Sequence, residues 1–102
     1  MTDDEFIQVI QSGESSVVEF KRCGDMPHPD TFETVCSFAN RSGGDIYLGV
    51  DDDGEVTGVD ASRAVEIERN IVNVTSNRKL FIPAPMVETE RIMHQGKTVI
   101  RV

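Results

Sequence analysis

The stretch from Phe38 to Val59 constrains the fold more than any other part of the chain. It reads Phe38-Ala39-Asn40-Arg41-Ser42-Gly43-Gly44, then Asp45-Ile46-Tyr47-Leu48-Gly49-Val50, then Asp51-Asp52-Asp53-Gly54-Glu55-Val56-Thr57-Gly58-Val59. The first part is a helix stop, because a glycine there can take backbone angles that side chains resist. The middle alternates and predicts a strand over Asp45–Val50, with Ile46, Leu48 and Val50 facing a core. Tyr47, Gly49 and Asp51 share the other strand face, where Gly49 leaves room beside Asp51. Asp52-Asp53-Gly54-Glu55 predicts a hairpin turn, and Val56–Val59 the returning strand. A helix that hands straight over to a core strand and a hairpin calls for a sheet with helices packed on it.

The flanking sequence supplies the remaining elements. Thr2-Asp3-Asp4-Glu5 has the spacing of a capping box, followed by Phe6, Val9 and Ile10 on one helical face and Gly13 as a stop. Ser16–Lys21 predicts a strand with Val18 and Phe20 on one face and Val17, Glu19 and Lys21 on the other. Gly24, Pro27 and Pro29 mark Cys23–Pro29 as a loop. Asp30-Thr31-Phe32-Glu33 has capping-box spacing again. It opens a helix expected to bury Phe32, Val35, Cys36 and Ala39. Ala61–Ser76 predicts a third helix with Ile67, Ile71 and Val74 in line, ended by Pro83 and Pro85. Met86–His94 and Lys97–Val102 alternate around Gln95-Gly96, a second hairpin. The sum is an α+β domain: a mixed β-sheet with three packed helices.

At 102 residues, 38% hydrophobic and 27% charged, the chain suits one globular domain rather than a disordered segment. No apolar run approaches the ~20 residues that span a bilayer, and the acidic start does not read as an export signal, so a cytoplasmic location without membrane contact is expected. Residues 1–102 are expected to be one domain, the N-terminal part of a longer protein, because the chain stops inside a strand pattern. Such a strand would leave an open sheet edge through which copies could associate. Cys23 and Cys36 are too far apart for a CxxC motif and read as ordinary thiols.

Three familiar motifs fail on spacing or context. Gly96-Lys97-Thr98 resembles the end of a phosphate loop, but Arg91 stands where the earlier glycine is required, and the run lies between strands. A calcium loop beginning at Asp51 would need glycine where Val56 stands and glutamate where Ser62 stands. Neither His28 nor His94 has the context of a catalytic triad.

Glu14-Ser15-Ser16-Val17-Val18-Glu19-Phe20-Lys21-Arg22 and the Phe38–Val59 stretch together resemble the Schlafen-type Alba-like domain family, also called the divergent AAA region. Order and spacing match "E-S-x-x-x-E-F-K", then "F-A-N-x-x-G-G", then a strand running into "G-V-D-D-x-G-x-V-x-G". Asn70-Ile71 and Pro83 fall at the family's third helix and following proline. The resemblance implies a mixed sheet with packed helices and a DNA- or RNA-binding module, such as begins bacterial transcriptional regulators and helicase-like proteins. It also implies an alternative. In animal Schlafen proteins a related core cuts RNA with three carboxylates and a divalent metal, and those positions fall here on Glu14, Glu19 and Asp51, with Asp52 close to the last. That core pairs two lobes, and one is present here.

Three carboxylates at a strand end suit Mg²⁺ or Mn²⁺, which prefer oxygen ligands and can activate water. Each residue also has a plainer reading. Asp51–Asp53 serves as a solvated turn, Glu19 as an exposed polar residue, Gly43-Gly44 as a helix stop and Asn40 as a helix-end hydrogen bonder. Nucleic-acid binding would rest on Lys21, Arg22 and Arg41, with Gly43 and Gly44 offering amides to a phosphate and Arg78 and Lys79 forming a second basic cluster. Tyr47 is the one candidate for base stacking. A net charge of −8 opposes a broad basic footprint, so any contact should be local, backbone-directed and salt-sensitive. A non-catalytic nucleic-acid-binding module is the leading expectation. The ribonuclease and a protein-interaction or oligomerisation module are the alternatives.

Overall fold

The structure, a computed structural model, describes residues 1–41, 43–77 and 87–102. Among the described residues, three α-helices, α1 (Asp3–Ser12), α2 (Asp30–Ala39) and α3 (Ala64–Thr75), accompany four strands, β1 (Val18–Lys21), β2 (Asp45–Leu48), β3 (Glu90–His94) and β4 (Lys97–Arg101). The sheet order is β1-β2-β4-β3, with β1 and β2 parallel and the other pairs antiparallel. The α+β class and the mixed sheet expected from the sequence are both present.

Each sheet face carries its own core. Cys23, Val35, Phe38, Ile46, Leu48, Ile67, Ile71 and Ile100 join α2 and α3 to one face. Phe6, Phe20, Tyr47, Val50, Ile92 and Val99 join α1 to the other. Helix α1 starts as expected: the Glu5 N–H donates to Thr2 Oγ1 at 3.2 Å, and the Thr2 N–H donates back to Glu5 Oε1 at 3.1 Å.

Helix α2 departs from its expectation in two ways. It has no side-chain cap, because Asp30 lies inside the first turn and its carboxylate turns to Lys21 instead. Its buried stripe is Thr31, Val35 and Phe38, while Cys36 and Ala39 are exposed. The spacing 31–35–38 satisfies helical geometry as well as the expected set does. The observed stripe brings Phe38, the largest side chain of the three, down over Gly44.

Strand β2 stops at Leu48, two residues short of expectation, because Gly49 sits at φ +101°. That left-handed turn carries Val50 to the α1 side, away from Ile46 and Leu48. The room beside Gly49 is taken by Gly58, whose backbone a Cβ at Gly49 would meet at 3.0 Å. Gly49 C=O accepts from both Thr57 and Gly58 N–H at 2.9 Å. The predicted return strand is therefore a tight loop, joined to its surroundings by isolated bridges at Val50–Val56 and Val59–Thr98. Ala61–Arg63 forms a single 3₁₀ turn before α3, which buries Ala64, Ile67, Ile71 and Thr75.

The last strand is not an edge. β4 lies between β2 and β3, so the outer strands are β1 and β3. The β1 edge is covered by its own chain. Ser15 N–H donates to Val18 C=O at 2.9 Å, and Phe20 N–H donates to Glu14 Oε1 at 3.0 Å. Arg78, Lys79, Pro83 and Pro85 lie outside the described residues. No helix among the described residues is long and apolar enough to cross a membrane.

Candidate nucleic-acid interface

β1, α2 and β2 form a βαβ unit, so the two parallel strands have a common amino end and a common carboxyl end. The register pairs Val18 with Asp45 and Lys21 with Leu48. Arg41, Gly43 and Gly44 precede β2 and lie at the amino end. Arg22 follows β1 and, with Gly49 and Asp51 after β2, lies at the carboxyl end. The residues expected to bind nucleic acid are thereby split between two ends of the unit.

Their surroundings separate them further. Lys21 Nζ lies 3.2 Å from Asp30 Oδ2 and 3.3 Å from Glu19 Oε1, and its side chain is only 17% exposed. Burial opposes its charge, but the hydrogen bonds and charges of Asp30 and Glu19 outweigh burial and raise its pKa. Burial likewise opposes the Asp30 charge, and Lys21 and His28 together hold that carboxyl below its ordinary value. Lys21 is thus neutralised within the fold. The Arg22 and Arg41 side chains are exposed, and neither has an ion pair or hydrogen bond among the described residues.

Most other described cations are occupied. Arg63 pairs with Glu66, Arg91 with Glu68, and Arg101 with Asp45 and Glu90, while Lys97 Nζ donates to Val56 C=O. Arg69 is exposed and unpaired like Arg22 and Arg41, and sequence reasoning passed over it because its helix reads as a packing element.

Gly43 and Gly44 differ from each other. Gly43 sits at φ +97° with open space around its Cα. A Cβ on Gly44 would lie 2.7 Å from Phe38 Cδ2 and 2.9 Å from the Val17 carbonyl. The first glycine makes the turn, and the second lets α2 and β1 close on β2. A groove of about 680 Å³ opens beside them, with Phe38, Ile46, Arg101 and Val102 in its wall. Arg101 is held there by Asp45 at 3.0 Å and is not a free cation. Tyr47 is 1% exposed, enclosed by Phe6 and Phe20 at ring separations of 5.8 and 6.2 Å. It offers no face to a base.

The carboxylates expected to share a metal are distributed. Glu14 caps the β1 edge, Glu19 lies with Lys21 beside Asp30 of α2, and Asp51 opens the turn that follows Val50. Among the described residues, the carboxylates that converge on one another are Asp51, Asp53 and Glu55, with ligand atoms within 4.8 Å. Neither Glu14 nor Glu19 belongs to that group. Asp51 Oδ1 accepts from Asp52 N–H and Asp53 Oδ1 from Glu55 N–H, so these side chains also brace their own turn.

A sequence model of the Schlafen AlbA_2 family matches residues 14–102. The chain belongs to this family. The match covers the βαβ unit, the glycine loop, α3 and the β3–β4 hairpin, and it begins after α1. Among solved structures, the solution NMR structure of the N-terminal domain of a RecG-related protein from Nitrosomonas europaea has the same fold. That protein's name assigns it, as an expectation, to the ATP-dependent DNA helicases. The likeness has a TM-score of 0.73 and 24% identity, covering 100% of this chain and 71% of the other. It includes α1, so the helix is part of the fold that this Schlafen AlbA_2 domain shares with its neighbour. No curated protein matches the chain.

Proposed function

We propose that this Schlafen AlbA_2 domain is a nucleic-acid-binding module that contacts the phosphate backbone and performs no chemistry of its own. The observation that carries the reading is the distribution of positive charge. Arg22 and Arg41 lie within the two family segments, and their side chains are left without partners in a chain where most other described cations are consumed internally. An acidic domain that keeps selected arginines free can bind an anion locally while its net charge of −8 limits non-specific adhesion. Family membership supports this reading, as does the helicase-related name of the structural neighbour. By the same analogy the domain serves a longer transcriptional regulator or helicase-like protein in the bacterial cytoplasm, with DNA the first candidate ligand.

Fluorescence anisotropy with duplex DNA and single-stranded RNA of equal length tests it. Affinity for one of them should fall between ~50 and ~200 mM salt, and each of Arg22→Ala and Arg41→Ala should reduce the log–log salt slope by about 0.9 on duplex DNA. Lys21→Met should leave the slope unchanged. Absence of binding to both ligands at low salt would end the reading. The ribonuclease alternative would require Glu14, Glu19 and Asp51 to gather around one Mg²⁺ or Mn²⁺ ion, and shortening of the RNA on adding Mn²⁺ would reveal it.

A further inference from the structure

The two edges of the sheet are treated differently. The β1 edge is covered by Glu14 and Ser15, but nothing among the described residues pairs with the outer side of β3. The phase of that edge can be read from β4. Thr98 C=O accepts from Val59 N–H at 2.8 Å, and Val102 exchanges both its backbone bonds with Ile46. The even-numbered residues of β4 therefore direct their backbone groups away from β3. Met93 stands opposite Thr98 and Arg91 opposite Ile100, so the N–H and C=O groups of Arg91 and Met93 point outward, without a backbone partner.

The side chains along this edge are unusual for a protected one. Met93 is 62% exposed, the highest value among the described large hydrophobic residues. Arg91 makes a forked pair with Glu68 of α3, at 3.2 and 3.1 Å. Val65 and Val72, both exposed, bracket Glu68 on the same helical face. An apolar strip interrupted by one forked ion pair thus runs beside an open strand edge, which is the feature that invites strand addition.

We propose that β3 pairs antiparallel with β3 of a second copy about a two-fold axis at Ile92, joining two four-stranded sheets into one. This goes beyond the nucleic-acid reading and is independent of it. The register follows from the outward groups: Arg91 of each copy faces Met93 of the other, and all the free N–H and C=O groups of both residues are satisfied together. On the α1 side the same register sets Glu90, which binds the Met1 ammonium at 2.8 Å, against His94, whose Nδ1 lies 2.7 Å from Asp3 Oδ1. Moving the axis to Arg91 would set two arginines face to face, and moving it to Met93 would push Arg91 against the Gln95 turn. The occupant is a second copy because this strand, read against itself, meets no like charge. The contact is a five-residue ladder with Met93, Val65 and Val72 beside it, small against the ~1,200 Å² and more of stable complexes. A weak, concentration-dependent dimer is the consequence, and salt should strengthen it by screening the two net charges.

Sedimentation velocity from ~10 μM to ~1 mM, with hydrogen exchange at both ends of the range, tests the proposal. Association should appear at the upper end. The Arg91 and Met93 amides should slow with concentration, while the Ile92 amide, bonded within the hairpin, should not change. Met93→Lys places a cation against the partner's Arg91 and Met93→Glu an anion, so the first variant should associate at least ~10-fold more weakly than the second. Both changes are at an exposed position and leave the core intact. A monomer across the range, association without protection of the two amides, or equal association of the two variants would each overturn the proposal; a monomer would leave the edge to a strand of another protein.

Discussion

Replacing Gly44 by alanine is the perturbation whose cost the structure specifies most closely. The added Cβ would stand 2.7 Å from Phe38 Cδ2, 2.9 Å from Phe38 Cε2 and 2.9 Å from the Val17 carbonyl oxygen, against 3.4 Å where ordinary contact begins. Neither neighbour can yield easily. Phe38 is 8% exposed and wedged in the core with Val35 and Ile46, and the Val17 carbonyl is held by a 2.8 Å bond from the Asp45 N–H at the start of the β1–β2 ladder. Overpacking of this kind costs about 1–3 kcal/mol, and contact from two sides places Gly44→Ala near ~2 kcal/mol. For a domain of this size that is a fall in Tm of roughly 8–16 °C. Gly43→Ala provides the contrast. Its surroundings are open, so its cost of about 1–2 kcal/mol comes from the +97° φ alone. Asparagine tolerates such angles better than alanine, so Gly43→Asn should recover part of the loss. Gly44→Asn should recover none, since any Cβ makes the clash. Urea unfolding of the four variants with a shared m-value measures this directly. Gly44→Ala within ~0.5 kcal/mol of the parent, or rescued by asparagine, would refute the packing role of the second glycine.

Glu14→Ala should cost about 1 kcal/mol by uncapping the Phe20 N–H, while Glu14→Gln, which keeps an acceptor, should stay closer to the parent in urea unfolding. Cys23, whose thiol is pushed up to about 11 by burial and the nearby Asp25 charge, should resist a thiol reagent until the chain unfolds, whereas exposed Cys36 should react in the native state; mass spectrometry after a short exposure distinguishes them. Glu5, Asp30 and Asp60 have lowered carboxyl pKa values. Hydrogen bonds from Thr2 lower Glu5 and those from Ser62 lower Asp60, whereas for Asp30 the Lys21 and His28 contacts overcome burial. A depressed carboxyl stabilises the fold above its unfolded value near ~4 and loses that contribution as pH falls through the folded value. The urea midpoint should therefore drop on acidification below about pH 5, and a flat profile there would contradict the pairing. The raised Lys21 pKa has the opposite sense: its contribution is complete below the unfolded value near ~10.4 and is lost as pH rises through the folded one.

Features set by local chemistry were legible in the order of the residues. The Thr2–Glu5 box starts α1, the Gln95-Gly96 turn closes the β3–β4 hairpin, and the register of the Glu14–Arg22 and Phe38–Val59 segments placed the chain in its family. Each of these depends on residues near one another in the chain, so their spacing carries the information. The candidate residues were legible as names but not as neighbours. That Lys21 is spent on Asp30 while Arg22 is free follows from where α2 docks, and that Tyr47 is sealed between Phe6 and Phe20 follows from α1 covering the second sheet face. A one-residue alternation also could not foresee Gly49, where the approach of Gly58 forces a left-handed turn and sends Val50 to the opposite core. That β4 is central and β3 is the open edge emerges with the folded chain, because strand order is set by contacts between segments far apart in sequence.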